Sequence, residues 1–174
     1  MFHIQHSCPR ILTPVHNQYS ELGEAIQSLF PIDTEMAFLF WKGYYIPLSY
    51  KYDISICIDN IISCLEKISN VKETKTFLTF GSDTFNAYWE IDFNNDELQI
   101  TAQWDHIRGY EKFIDRNSII KISVINFISE WSGILQTIDK ALILNKIILS
   151  NEQYLLDRMR KIIAYTTTPG LLYQ

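Results

Sequence analysis

A strict alternation of apolar and polar residues over positions 85–104 constrains the fold more than any other feature. Apolar side chains occupy every second position in two runs: Phe85, Ala87, Trp89, Ile91 and Phe93, then Leu98, Ile100, Ala102 and Trp104. Residues 94–97 form the turn between the runs. Pairing Phe93 with Leu98 puts every apolar side chain on one face, and a one-residue shift would destroy that match. The pattern predicts a β-hairpin with one dry face and one polar, acidic face.

The remaining segments divide into helical and strand-like patterns. Helical spacing of apolar residues predicts helices at 17–30, 53–68, 126–142 and 150–164. Asp53 and Asn126 are the expected caps of the second and third helices, and Ser150 with Gln153 forms a capping box for the fourth. Strand-like runs occupy 36–41, 44–48, 76–80 and 119–125. Pro47 indicates an edge strand, because proline cannot donate to a ladder.

Together these elements predict an α+β fold. We expect one domain over residues 1–174, with an antiparallel or mixed sheet of about six strands. About four helices would pack mainly on one face of the sheet. Residues 1–16 are expected to be an extended lead-in, and residues 165–174 a frayed tail.

The charge is concentrated in one part of the chain. The net charge is −5, but residues 83–115 contain eight acids against Arg108 and Lys112 and so carry −6. Such a field repels nucleic acid and anionic lipid and attracts basic partners. A face made acidic only for solubility is the alternative interpretation.

Cysteine content and the chain start favour a cytoplasmic protein. Three cysteines are an odd number for a disulfide framework and fit reduced thiols. No apolar stretch is long enough to span a membrane, and the start lacks the pattern of a signal peptide. Cys57 and Cys64 lie on nearly the same side of one predicted helix, where two ligands cannot complete a structural zinc site. We expect them to be buried thiols.

No motif names a chemistry. Nucleotide-binding glycine motifs, nucleophile elbows and zinc-protease signatures are absent from the sequence. His106, next to Asp105 and near Arg108, is the one candidate for acid–base catalysis, but no nucleophile accompanies it. Glu90 and Asp92 share a strand face, where a solvated or partner-facing pair is favoured over a hydrolytic or metal-binding pair. We therefore expect no enzyme activity, no cofactor and no metal.

The chain resembles the small immunity proteins that accompany bacterial polymorphic or contact-dependent growth inhibition toxins. The likeness lies in three segments covering about 60 residues with their surroundings: Tyr88-Trp89-Glu90-Ile91-Asp92-Phe93, Leu98-Gln99-Ile100-Thr101-Ala102-Gln103-Trp104 and Phe127-Ile128-Ser129-Glu130-Trp131. It implies a cytoplasmic protein that binds and blocks its cognate toxin domain without turnover. Many such toxins are basic nucleases.

The polar hairpin face and the loop after it supply the candidate partner-binding residues. Tyr88 is the expected aromatic anchor within a polar rim. The full set is Tyr88, Glu90, Asp92, Gln103, Asp105 and Glu111. Two alternatives stay open. One is a homodimeric adaptor that uses the aromatic run from Phe38 to Tyr52, unless that run packs in the core. The other is a small enzyme with a pocket at His106.

Overall fold

The computed structural model describes residues 1–69, 74–94, 96–107, 109–110 and 112–167. Within these residues the strands are β1 (Phe2–Gln5), β2 (Gln18–Tyr19), β3 (Met36–Trp41), β4 (Tyr44–Ser49), β5 (Lys75–Gly81), β6 (Phe85–Asn94), β7 (Glu97–Ile107), β8 (Asn117–Ser123) and β9 (Ile148–Leu149). The helices are α1 (Leu22–Leu29), α2 (Ser55–Ser69), α3 (Val124–Leu144) and α4 (Gln153–Thr167). A π-helical turn, Tyr50–Ile54, leads directly into α2.

The strands form three sheets, which confirms the α+β class. The largest sheet has the order β5-β6-β7-β8, and each pair of adjacent strands in it is antiparallel. A second antiparallel sheet has the order β1-β3-β4, so Pro47 lies in an edge strand as predicted. The third sheet is a short parallel pair of β2 and β9. The expected single sheet of about six strands is thus divided, because β1, β3 and β4 form a ladder of their own.

The central hairpin has the register that the alternation predicts. Phe93 pairs with Leu98, Trp89 with Ala102, and Ala87 with Trp104. The apolar face of the four-stranded sheet, to which β5 adds Phe80, is buried against α3 and the three-stranded sheet: the ring of Phe80 lies 6.1 Å from Trp131, and that of Trp89 lies 6.0 Å from Phe2. Burial of one face makes the register unique, since a shift would expose the entire apolar set.

A buried hydroxyl joins the two larger sheets. Ser118 in β8 is 3% exposed, and its Oγ accepts hydrogen bonds from Trp41 Nε1 at 2.8 Å and Trp104 Nε1 at 3.0 Å. The rings of Trp41 and Trp104 meet edge to face at 5.0 Å. One small side chain therefore satisfies two indole donors that would otherwise be buried without a partner.

All three predicted helix caps are wrong. Ser150 and Gln153 form no capping box, because α4 begins at Gln153 and Ser150 Oγ donates to Tyr19 O at 3.4 Å. Asp53 lies inside the π-helical turn instead of before α2, and its buried carboxylate accepts hydrogen bonds from Ser49 N at 2.8 Å and Thr84 Oγ1 at 2.5 Å. Ser49 caps the π-helical turn through its Oγ, which Tyr52 N approaches at 3.3 Å. Ser123 caps α3 in place of Asn126, because the helix begins at Val124. The Oγ of Ser123 accepts a hydrogen bond from Asn126 N at 3.3 Å.

Several boundaries also differ from the sequence prediction. The predicted helix at 17–30 begins only at Leu22, because Gln18 and Tyr19 pair with β9 instead. The expected lead-in at 1–16 contains β1, which adds a strand to the β1-β3-β4 sheet. The expected frayed tail is helical as far as Thr167, and 168–174 lie outside the described residues. Among the described helices, none is both long and apolar enough to cross a membrane.

Candidate functional site

One face of the four-stranded sheet is left uncovered by the helices. Side chains that alternate with the buried set point outward from all four strands and form what we call the outer face. Five of the six predicted partner-binding residues lie on it: Tyr88, Glu90, Asp92, Gln103 and Asp105. The sixth, Glu111, lies outside the described residues. The alternation assigned Tyr88, Glu90, Asp92 and Gln103 to this face, whereas Asp105 was expected in the loop after the hairpin and lies instead in β7, which extends to Ile107.

An aromatic pair occupies the β5–β6 side of the outer face. The rings of Phe77 and Tyr88 stack with centroids 5.5 Å apart and an interplanar angle of 23°. Phe77 is 48% exposed and Tyr88 36% exposed. Tyr88 also lies directly across from Gln103 on β7. Burial and the neighbouring Glu90 raise the pKa of Tyr88, so its hydroxyl stays protonated at neutral pH.

A lysine from the edge strand neutralises much of the predicted acidic pair. Lys75 Nζ lies 2.5 Å from Glu90 Oε1 and 3.6 Å from Asp92 Oδ1. Its pKa is raised chiefly because Glu90 accepts its hydrogen bond, so the ammonium stays charged. The same Nζ lies 5.7 Å from the centre of the Phe77 ring, which places the aromatic pair beside the charges.

Cations from β8 and the preceding loop pair with the other acids of the face. Lys121 Nζ lies 3.2 Å from Glu97 Oε1, and Arg116 lies 3.7 Å from Asp105 Oδ1. The net charge of −6 counted along residues 83–115 is therefore largely balanced where it reaches the sheet. All of these side chains are at least 38% exposed, so the pairs are weak and can exchange partners.

A β-bulge shapes the far end of the outer face. His106 pairs with Asn86 and Trp104 with Ala87, so Asp105 is the extra residue on β7. Both Asp105 and His106 are exposed as a result. Gln103 Nε2 donates to Asp105 Oδ1 at 3.3 Å, which connects the bulge to the centre of the face. Bulges of this kind re-aim side chains beside functional surfaces.

The enzyme alternative required a pocket built around His106. A cavity of about 390 Å³ lies next to the bulge, lined by Trp104, Asp105, Ile107, Ile114 and Arg116. His106 is not among its lining residues, and its two charged groups are the exposed Asp105–Arg116 pair.

Cys57 and Cys64, which were considered above as zinc ligands, lie on α2. No group of three or more His, Cys, Asp or Glu side chains among the described residues is placed to hold a metal ion. Cys57 and Cys64 are buried free thiols, as predicted. Burial raises the pKa of Cys64 to about 12 and also raises that of Cys57, whose Sγ accepts from Gly81 N at 3.4 Å. Both thiols are neutral at physiological pH, and a neutral thiol is a poor nucleophile.

The aromatic run from Phe38 to Tyr52 divides between core and surface. Tyr50 is fully buried, whereas Phe38, Tyr45 and Tyr52 are between 36% and 50% exposed. On the outside of the three-stranded sheet, the rings of Phe40 and Tyr45 lie 4.9 Å apart. Core packing thus accounts for Tyr50, while the hairpin aromatics form a second partly open surface.

Sequence reasoning missed the contributions of the two outer strands to the outer face. Lys75 and Phe77 lie on β5, and Ile119 and Lys121 lie on β8. A signal was present, because Lys75 and Phe77 alternate with the buried Thr76 and Leu78.

This chain matches no protein-family model, no curated protein and no solved structure.

Proposed function

We propose that this chain is a non-catalytic binding protein of the immunity type, which blocks a cognate bacterial toxin domain by binding it on the outer face. One observation carries the proposal: a four-stranded sheet that leaves a whole face uncovered and places a stacked aromatic pair among exposed charges. Uncovered aromatic side chains within a polar rim are the usual make-up of a protein-binding surface. The toxin class rests on the sequence resemblance alone.

The charges of the outer face suit a partner with a basic surface. Four acids lie on the face (Glu90, Asp92, Glu97 and Asp105), against three cations that pair with them (Lys75, Arg116 and Lys121). A partner that brings its own lysines or arginines can take over these acids, since exposed ion pairs cost little to exchange. The overall charge of −5 adds a long-range attraction that raises the association rate at low salt.

The first test is capture of the partner followed by a matched pair of variants. The immobilised chain is exposed to lysate of its native cell at roughly 0.05 M and 0.5 M salt, which spans weak to strong screening. We expect one basic polypeptide, retained best at low salt and toxic when expressed without this chain. Tyr88→Ala should lower its affinity at least about 30-fold, the size of a binding hot spot.

Tyr154→Ala is the control, because Tyr154 is 56% exposed on α4, away from the outer face. It should leave both binding and neutralisation unchanged. A captured polypeptide that binds Tyr88→Ala as tightly as the native chain would remove the outer face from the proposal. Failure of this chain to neutralise the toxicity of that polypeptide would reject the immunity function.

A further inference from the structure

Both strand edges of the β1-β3-β4 sheet are partly blocked by the chain itself. At the β1 edge, Ile4 N donates to Glu130 Oε2 at 2.7 Å. At the β4 edge, Ser49 N donates to Asp53 Oδ2 at 2.8 Å, and Pro47 has no N–H to offer. Unpaired backbone groups at a sheet edge are a template for another strand, and native proteins commonly block them in these ways.

The β5 edge of the larger sheet is partly closed by side chains from α2. Gly81 N donates to Cys57 Sγ at 3.4 Å, and Thr79 O accepts from Asn60 Nδ2 at 3.1 Å. A strand that approached this edge would have to displace the helix. The opposite edge, on β8, has no such cover in the described part of the chain.

The hydrogen bonds at its ends show which backbone groups of β8 face outward. Trp104 N donates to Arg116 O and Val124 N to Asp96 O, both at 2.8 Å. In an antiparallel ladder the bonded positions alternate, so residues 118, 120 and 122 bond to β7. The N–H and C=O groups of Ile119 and Lys121 therefore point away from the sheet. Ile119 is also 51% exposed.

We propose that β8 pairs with β8 of a second copy of this chain in an antiparallel, two-fold symmetric contact. The register with most bonds puts Ile120 opposite Ile120 of the second copy, so that all seven residues of β8 overlap. In that register Ile119 lies opposite Lys121 of the second copy and no like charges are directly opposed. The contact joins two four-stranded sheets into one continuous sheet and leaves both outer faces open.

The occupant is a second copy because the edge is complementary to itself. A strand from a basic partner would meet Lys121 and the nearby Arg116 at this edge. The second copy instead offers the apolar Ile119 to each Lys121, whose charge stays paired with Glu97 of its own chain. A contact of one strand pair is small, so we expect a dissociation constant on the order of 10–100 µM.

Sedimentation equilibrium on the full chain tests the pairing. Between about 5 and 500 µM, a range that brackets the expected constant, the mean mass should rise from 20.5 kDa toward twice that value. Two variants at one position have opposite expectations. Ile119→Lys places like charges opposite each other and should weaken association at least about 10-fold, whereas Ile119→Glu meets Lys121 of the second copy and should match or exceed native association.

Phe77→Lys is the control, because Phe77 is similarly exposed on the opposite edge strand, and it should not change the mass. A mass that stays at 20.5 kDa over the whole range would overturn the proposal. So would a dimer that tolerates Ile119→Lys, since it would have to form through another surface. Equal weakening by both variants would reject the proposed register and with it the two-fold pairing.

Discussion

Tyr88 and Trp89 are neighbours in the chain and lie on opposite faces of the same sheet. Trp89 is fully buried among aromatic rings, 5.2 Å from Trp41 and 5.8 Å from Trp104. Tyr88 stacks on one ring and otherwise faces water and charges. The inner face is thus held by packing that accepts little change, while the outer face is held by weak pairs that can exchange. This division leaves the outer face free to bind without loss of the fold.

The largest expected effect separates these two neighbours. Trp89→Ala should lower the free energy of unfolding by about 3–5 kcal/mol, because it leaves a cavity within the aromatic core. Tyr88→Ala should cost about 1 kcal/mol or less. Urea unfolding followed by circular dichroism measures both. Equal losses would mean that the outer face also contributes to the core, and the proposed division would be wrong.

A second prediction concerns the buried hydroxyl of Tyr50. Burial raises the pKa of Tyr50 from 10.0 to about 12. The unfolded chain releases this proton near pH 10 and the folded chain only near pH 12, so the contribution to stability is fully present below pH 10 and is lost as the pH rises through 12. Two pKa units correspond to about 3 kcal/mol.

Tyr50→Phe isolates this contribution from those of the other tyrosines. Between pH 9.5 and pH 12 the native chain should lose about 2 kcal/mol more stability than the variant, and the rest of the difference is lost above pH 12. Urea midpoints at a series of pH values give the comparison. Parallel curves for the two proteins would show that Tyr50 ionises equally easily in both states.

The hydroxyl that joins the two larger sheets should have a smaller effect. Ser118→Ala leaves the indole N–H groups of Trp41 and Trp104 buried without their acceptor, and should cost about 2 kcal/mol. Thr101→Ala, on the outer face of the same sheet, is the control and should cost much less. Thermal unfolding of the native chain and the two variants measures these losses. Similar melting temperatures for all three proteins would mean that the indoles find other partners.

The sequence predicted what depends on local pattern and missed what depends on distant partners. The hairpin register was predictable because only one pairing of Phe93 and Leu98 buries the whole apolar set. The place of Asp53 inside the π-helical turn was not predictable, because its carboxylate accepts hydrogen bonds from Ser82 and Thr84, which are 29 and 31 residues away. The predicted charge of the outer face was wrong for the same reason. Counting charges along residues 83–115 omitted Lys75, which the β5–β6 pairing brings to Glu90.

Reversing charges on the outer face should change binding and leave stability almost unchanged. The double variant Glu90→Lys and Asp92→Lys should slow association with the basic polypeptide expected from the capture experiment about 10-fold and weaken its salt dependence. Stability should change by about 1 kcal/mol or less, because the pairs are exposed. Stopped-flow association rates at several salt concentrations provide the measurement.

A matched control exists on α2 and α4, where one arginine also bridges two acids. Arg158 contacts Asp59 at 3.5 Å and Glu66 at 2.7 Å. Reversing Asp59 and Glu66 changes the net charge by the same amount at a site away from the outer face. If it slows association equally, the effect is one of overall charge and the outer face has no special part in steering.

The smallest effect has the opposite sign and tests whether Lys75 competes with a partner for the same acids. Lys75→Met removes the ammonium that contacts Glu90 and Asp92 and keeps an apolar stem beside Phe77. A basic partner would then meet two unpaired carboxylates, and its association should become about three-fold faster at low salt. Lys121→Met removes the same charge from the β8 edge but frees only Glu97, so its effect should be smaller. Equal acceleration by both variants would mean that total charge governs association. Slower association of Lys75→Met would mean that Lys75 itself contacts the partner.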